Sequence, residues 1–520
     1  MALVYVKNKK NGNTYVYESN NYWDKKKQQS RSSRVCIGKL DEAGDLIPSK
    51  RFKEPQPTLP LKRGPAPATQ AKRSFYGATY LFDALGDKLD ITKDLKSCFP
   101  DTYKQILSIA YYLILEDRNP LSRFPKWERT HKHPYGKNIA SQRSSELFSS
   151  ITEDSKEHFF RVQGKRRTEN EYWAYDTTSI SSYSESLKQV KYGRNKDHDP
   201  LAQINLALLF GETSNLPFYY RKLPGNIPDV KTLKNLLADM DFLGFSKVKL
   251  VMDRGFYSED NVNALYQNHL KFLLATKLSL KFVRKELDQV RDTIRTRSNY
   301  NTMYQLHAHT AIISWEYTQN RPYKGDVIKE SRRMYLHIYY NGEKALEQEN
   351  KFNLLLNKLE EELISGKRKL ENEKQYNKYF DVKTTPVRGT KVIAKQDAID
   401  QAQKDYGFFA LISNEINEPI KALEIYRNKD LIEKGFGNLK ERLNMRRTTV
   451  SSDSALEGKL FVQFIALIYL SYIKKQMSDQ GLYKKYTMQE LLDELDIIEC
   501  FEQPGNKIRI GEITKKQEEL

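Results

Sequence analysis

Between Glu171 and Lys277 the sequence alternates strand-length apolar runs with helix-length amphipathic ones, in an order that few folds satisfy. Residues 171–183 (EYWAYDTTSISSY), 202–210 and 217–223 read as three successive strands, closed by the turn Pro224-Gly225-Asn226. A helix near 229–243, a buried strand over 247–253, a helix near 258–268 and a strand over 271–277 follow. This β-β-β-α-β-α-β order predicts the α/β class, with a mixed sheet covered by helices.

The remaining chain is organised around that stretch. At 520 residues it outgrows one hydrophobic core, and roughly two to four domains are expected. Residues 1–54 form a small β-rich region with strand-like pieces at 3–6, 14–18 and 34–37, in which Lys25, Lys26, Lys27, Arg31 and Arg34 crowd together. Residues 55–70 are a Pro-rich, semi-rigid linker. Residues 71–165 carry helical periodicity on both sides of a break at Pro100 and end in Lys165-Arg166-Arg167; charge alone assigns them to DNA. The core then occupies 170–280 and resumes over 405–475, with a strand at 405–413, a helix over 421–443 and an apolar helix over 458–475. Between the two parts, 281–404 reads as an insertion with strands at 303–318 and 333–340 and a long helix over 343–375, whose acidic face argues against its lying along DNA. Residues 476–520 form a C-terminal region.

Composition narrows the partners. Lys and Arg number 86 against 67 Asp and Glu, a net charge of +19, which favours a polyanion because each phosphate contact releases a counterion. The three cysteines, Cys36, Cys98 and Cys500, are odd in number and scattered, which fits a reducing compartment and neither a disulfide framework nor a cysteine zinc site. The N-terminal MALVYVKNKK meets charge too early for a secretory signal. The longest apolar run, 461–473, is interrupted by Gln463 and too short to span a bilayer, so a buried helix and a cytoplasmic protein without a membrane partner are expected.

Three acids stand out by context. Asp176 lies mid-strand, where a charge is costly unless offset. Asp253 closes an apolar strand before the turn Arg254-Gly255-Phe256, and strand ends are where sites form in open α/β sheets. Glu433 lies in EIYRNKDLIEKGFGNLK, where Tyr426, Lys429, Glu433, Phe436 and Lys440 fall on one helix face, since a seven-residue step drifts only about 20° from two turns. One metal ligand flanked by two phosphate contacts is what that face offers, with Phe436 as packing. His131 and His133 lack further ligands at metal-binding spacing, and His198 between Asp197 and Asp199 reads as a solvated loop.

On these residues the chain resembles the insertion-sequence transposases with a DDE triad on a ribonuclease-H-like fold. Asp176 in YDTTSISSYS matches their first-strand Asp, and Asp253 in VMDRGFYS matches the Asp after the fourth strand. Their helix signature (Tyr, two residues, Arg, three residues, Glu, six residues, Lys) is matched by Tyr426, Glu433 and Lys440. Position 429 departs from it: Lys429 keeps the charge but loses the bidentate fork, and Arg427 lies nearby. The resemblance runs over about residues 75–475, and the long interval between Asp253 and Glu433 is similar to the β-rich insertion many of these enzymes carry.

The resemblance implies that Asp176, Asp253 and Glu433 hold two Mg²⁺ ions about 4 Å apart, with Mn²⁺ able to substitute. Water would attack first at the element's end, and the freed 3′-hydroxyl would then attack target DNA. Tyr426, Lys429 and Lys440 would position DNA phosphates, and Trp315 in the insertion would stack on a flipped base, against the simpler expectation of a core tryptophan. The partners implied are terminal inverted repeats and target DNA, with a homodimer in the synaptic complex. Two other readings remain: a ribonuclease-H-like nuclease without strand transfer, and a catalytically silent DNA-binding repressor.

Overall fold

The structure, a computed structural model, describes residues 2–24, 27–49, 71–117, 119–166, 171–245, 248–320, 327–385, 389–448 and 450–520. The Pro-rich linker, Lys25, Lys26 and Arg167 lie outside the described residues. The chain divides into two compact units, Met1–Ala71 with Gln503–Gly505, and Lys72–Glu502 with Asn506–Leu520.

In the first unit β1 (Ala2–Lys7), β2 (Thr14–Asp24), β3 (Gln29–Leu40) and β4 (Leu46–Pro48) form one antiparallel meander in sequence order. The strands run longer than their apolar cores suggested. Polar stretches such as Asn20–Tyr22 against Arg31–Ser33 continue the ladder, because backbone pairing does not require apolar side chains.

The second unit opens with β5 (Lys72–Phe75) and six helices: α1 (Gly77–Lys88), α2 (Ile91–Cys98), α3 (Tyr103–Leu115), α4 (Phe124–Glu128), α5 (Ser141–Ser150) and α6 (Glu153–Lys165). The predicted core follows in the predicted order: β6 (Trp173–Ser182), β7 (Gln203–Gly211), β8 (Pro217–Pro224), α7 (Asp229–Leu243), β9 (Lys249–Met252), α8 (Glu259–Gln267) and β10 (Lys271–Thr276). After α9 (Lys281–Val290) come β11 (Tyr300–Asn301), β12 (Leu306–Asn320) and β13 (Val327–Tyr340). Then α10 (Gly342–Ile364), α11 (Glu373–Tyr379), the hairpin β14 (Phe380–Thr385) and β15 (Gly389–Ala394), and α12 (Gln396–Gln403) lead back to β16 (Phe408–Ser413). The chain closes with α13 (Pro419–Asn428), α14 (Asp430–Gly437), β17 (Arg447–Thr448), α15 (Asp453–Asp479), α16 (Met488–Asp496), β18 (Glu499–Glu502), β19 (Arg509–Ile510) and α17 (Lys515–Glu519).

One sheet organises this unit, in the order β11-β12-β13-β16-β10-β9-β6-β7-β8 with β17 beside the end of β6. β6, β7 and β8 are antiparallel, while β6, β9 and β10 are parallel. The fold is a ribonuclease-H-like mixed α/β sheet, with Asp176 on its first strand and Asp253 directly after its fourth. Both faces are covered, as its near-continuous apolar strands require. Leu250, Met252, Phe272 and Leu274 join the main core with α7, α8 and α15, whereas Val251, Leu273 and Ala275 join a second cluster with Ala422, Leu423 and Ile425 of α13.

Three expectations change. The 281–404 segment is no separate body, because β12 and β13 pair with each other over fourteen positions and β13 continues onto β16 of the core sheet. Only α10 to α12 and the β14–β15 hairpin keep a small core of their own, around Phe352, Leu359, Tyr376 and Ile399. The helix expected over 343–375 ends at Ile364, where Gly366 takes a left-handed φ of +72°. The apolar helix expected over 458–475 is longer: α15 has 27 residues and starts where the Ser452 hydroxyl accepts the Ala455 N–H. By length and composition α15 could cross a bilayer, yet 83% of its most apolar stretch is buried inside the protein, where it packs against α3, α5 and β8.

Candidate active site

Strand register brings the first two acids together. β6 and β9 run parallel with Tyr175 opposite Met252, and β9 then ends, so Asp176 and Asp253 are the next residues of two neighbouring strands. Beyond this point the same edge of β6 regains a partner only at Ser181, opposite Arg447. The interval leaves a gap in the sheet next to Asp176.

The helix read as one straight element over 421–443 fills that gap by breaking. α13 packs into the second cluster on one side of the sheet, while Ile432 and Phe436 of α14 belong to the main core. α13 gives way to α14 at Lys429, and a π turn over Asn438–Arg442 then ends the segment. The single face expected for Tyr426, Lys429, Glu433, Phe436 and Lys440 is therefore divided.

The break places the Lys429 ammonium among all three acids. Nζ lies 3.8 Å from Asp253 Oδ2 and 3.6 Å from Glu433 Oε1, and it faces Asp176 closely enough to pull that carboxyl's pKa down. Its side chain is only 4% exposed, against 63% for Glu433. The Tyr426 hydroxyl donates to Asp253 Oδ1 at 2.7 Å, and the Arg254 N–H donates to the same oxygen at 2.8 Å.

Charge balance differs between the acids. Burial pushes Asp176 above the usual carboxylate range, against the pull of Lys196 and then Lys429. Burial also pushes Asp253 upward, but Lys429 and the Tyr426 hydrogen bond outweigh it and leave that carboxyl below its ordinary value. Tyr426 is raised in turn, by burial first and then by Asp253.

Sequence reasoning missed the other side of Asp176. Lys196 Nζ sits 3.5 Å from Asp176 Oδ1 and 3.1 Å from Asp229 Oδ2, and donates to the carbonyl and hydroxyl of Thr177 at 2.7 and 2.8 Å. The Thr177 hydroxyl also donates to Asp229. The only signal for Asp229 was an acid in the first turn of α7 after Pro228. Lys196 carried none, because the 195–199 loop looked solvated. Instead that loop docks: Asp197 pairs with Lys440 at 2.6 Å and Asp199 with Arg447 at 2.9 Å.

The residues expected to touch DNA thus all have partners within the chain. Tyr426 is held by Asp253, Lys429 by the acids and Lys440 by Asp197. Trp315, half-buried, donates its indole N–H to Asn263 Oδ1 at 2.9 Å and meets Phe282 edge-on. Arg427 lies over the Tyr304 ring at 4.8 Å. His131 and His133 are buried in ordinary hydrogen bonds, to Trp127 and Asp496 and to Ser108 respectively.

Asp176, Asp253 and Glu433 are hard oxygen donors of the kind Mg²⁺ and Mn²⁺ prefer. Among the described residues no three acidic, histidine or cysteine groups close on one point as a preformed metal cluster. What stands between Asp253 and Glu433 is the Lys429 ammonium, a cation whose charge also reaches Asp176. The donor chemistry fits a divalent ion.

No curated protein matches the chain. Among solved structures it is similar to a piggyBac transposase synaptic complex with hairpin DNA, at 12% identity and a TM-score of 0.34, over 69% of this chain and 57% of that one. The family model described as a transposase DDE domain matches residues 158–469, from within α6 through β6 and the acids to within α15. The chain belongs to the DDE transposase family.

Proposed function

We propose that this transposase cuts DNA at the ends of its own element and joins the freed ends to target DNA, with Asp176, Asp253 and Glu433 as the catalytic carboxylates. The observation that carries this reading is the approach of these acids, from two adjacent strands and a helix beside a gap in the sheet, to one buried cation that ion-pairs with Asp253 and Glu433 and pulls on Asp176. Bound Mg²⁺, as two ions, would supply Lewis acidity to the scissile phosphate and acidify the attacking water. The chain's own residues provide the frame. The strands fix Asp176 and Asp253, Tyr426 orients Asp253 through its hydroxyl, and α14 brings Glu433 to the same lysine that pairs with Asp253. Lys440 and Lys429 would exchange their carboxylate partners for DNA phosphates, and Arg254, exposed beside Asp253, offers a further contact. Two ends handled together require at least a dimer when DNA is bound.

The test is incubation of the purified protein and Glu433→Gln with Mg²⁺, a target plasmid and labelled DNA carrying the inverted repeats that flank its gene. End cleavage and joining by the wild type, lost in the variant while DNA binding persists, is the expected result. Specific binding without cleavage in Mg²⁺ or Mn²⁺ would leave a repressor-like binder. Cleavage without end preference or joining would leave a nuclease.

A further inference from the structure

The position of Lys429 is unusual for a phosphate-binding lysine. Its side chain is 4% exposed and points inward, and its ammonium touches carboxylates at 3.6 and 3.8 Å and lies over the Tyr426 ring at 5.7 Å. Asp176 is itself withdrawn from water, its side chain 14% exposed, whereas Asp253 is partly open at 43%. Carboxylates held this close repel one another unless a cation lies between them. Lys196 compensates Asp176 from the far side together with Asp229, and it makes no contact with Asp253 or Glu433. Lys429 alone, among the described residues, ion-pairs with both Asp253 and Glu433.

We infer that Lys429 is a resident counter-cation: its ammonium holds the three acids in place while the site carries no metal, and a divalent ion must displace it to bind. The inference rests on the proposed role of these acids as metal ligands. It explains why they surround a common space without closing into a metal-sized cluster. Displacement and loading are then linked equilibria, so the ammonium weakens metal binding by as much as metal weakens the ammonium's hold. The means is the long, flexible lysine stem, which can carry the ammonium away while the backbone at Lys429 keeps its helical φ of −54° and ψ of −26°.

The experiment measures Mn²⁺ binding to the full-length, DNA-free protein by titration calorimetry, with thermal melting in EDTA and in saturating Mn²⁺. The proteins compared are wild type, Lys429→Met, Lys429→Arg, Asp176→Asn and Asp253→Asn. Lys429→Met, which keeps the volume without the charge, is expected to bind Mn²⁺ about fivefold or more tighter, the lower end of ordinary coupling between sites. It should melt below the wild type in EDTA, with the gap closing in Mn²⁺. Lys429→Arg, which keeps the charge, should stay within about twofold of wild-type affinity. Equal or weaker Mn²⁺ binding by Lys429→Met, or a tightening equally large in Lys429→Arg, overturns the inference while leaving the metal-binding acids intact. Wild-type binding that survives Asp176→Asn and Asp253→Asn would instead overturn the assignment of the acids, and no Mn²⁺ uptake by any of the proteins would overturn both.

Discussion

The hydroxyl of Tyr426 reaches across from α13 to donate a 2.7 Å hydrogen bond to Asp253 Oδ1, tying the helix before the break to the end of the fourth core strand. A hydrogen bond to a charged group contributes roughly 1.5–3 kcal/mol. Tyr426→Phe removes that bond and leaves the ring's packing. End cleavage is expected to fall by about tenfold, the lower end of that range, and the Mg²⁺ concentration for half-maximal activity to rise. Unchanged Mg²⁺ dependence would detach Tyr426 from the positioning of Asp253.

Gly435 shows how closely the Glu433 helix is seated. A β-carbon at this position would come 2.4 Å from the Phe210 ring of β7, which is itself buried in the sheet. Phe210 is hemmed in by the core and has little room to give. Gly435→Ala should therefore push α14 away from β7, costing about 1–3 kcal/mol and lowering cleavage through displacement of Glu433. Chemical denaturation measures the first effect and single-turnover cleavage the second. A stable, fully active Gly435→Ala would mean that Phe210 rotates aside.

Much of this was legible in the sequence for a definite reason. β6 to β10 lie in a sheet covered on both faces, so they read as long apolar runs with helical periods between them, and their order emerged whole. Asp176 and Asp253 were visible because a charge in such a run is anomalous. The break at Lys429 was hidden, since periodicity reports that a face is apolar and not which side of a sheet it meets. α13 and α14 satisfy one helical pattern while burying themselves in different cores. Lys196 was hidden because a polar loop that docks through Asp197 and Asp199 has the composition of one that does not. That the long β12–β13 ribbon of the insertion extends the core sheet was hidden, because strand pairing with β16 leaves no local trace.

Trp315 has contacts that account for it without DNA. Its N–H is bound to Asn263 and its ring meets Phe282 beside the main core. Trp315→Ala is expected to lower stability by about 1–3 kcal/mol and to leave cleavage per folded molecule unchanged. The reverse pattern, intact stability with a defect at cleavage or joining, would give the indole the base-stacking role that the resemblance suggests.

Acid should weaken the fold before the carboxylates titrate. Burial lowers His133 and His337 from the ordinary 6.5 to about 4, with Lys72 adding to the effect at His133. The unfolded chain takes up these protons near 6.5 and the folded chain only near 4. Their contribution is complete above pH 6.5 and is lost as the pH falls towards 4. Melting temperature should decline across that window, and His337→Gln should flatten the decline. The same slope in the variant would exclude His337 as a source.

A buried ionic group also lies away from the candidate site. Glu457, near the start of α15, receives Lys156 of α6 at 2.9 Å and Lys222 of β8 at 2.8 Å, and those lysine side chains are 3% and 7% exposed. Burial pushes the Glu457 carboxyl upward, but the two ammonium groups outweigh it and hold it below its usual range. Glu457→Gln would leave Lys156 with Glu153, itself well exposed, and Lys222 with Asp453 at 3.7 Å. Removing one member of a buried ionic group costs about 3–5 kcal/mol, and the remaining partners place the expected loss near 3 kcal/mol. The same carboxylate stabilises the fold above its unfolded value and loses that contribution as acid protonates the folded form, so the variant should also be less sensitive to pH below about 4.5. A triple variant, Lys156→Met with Lys222→Met and Glu457→Leu, removes the charges together with their desolvation cost and is expected to recover most of the stability lost by Glu457→Gln. Failure of the triple variant to recover it would show that the network's geometry, and not the two stranded charges, accounts for the loss.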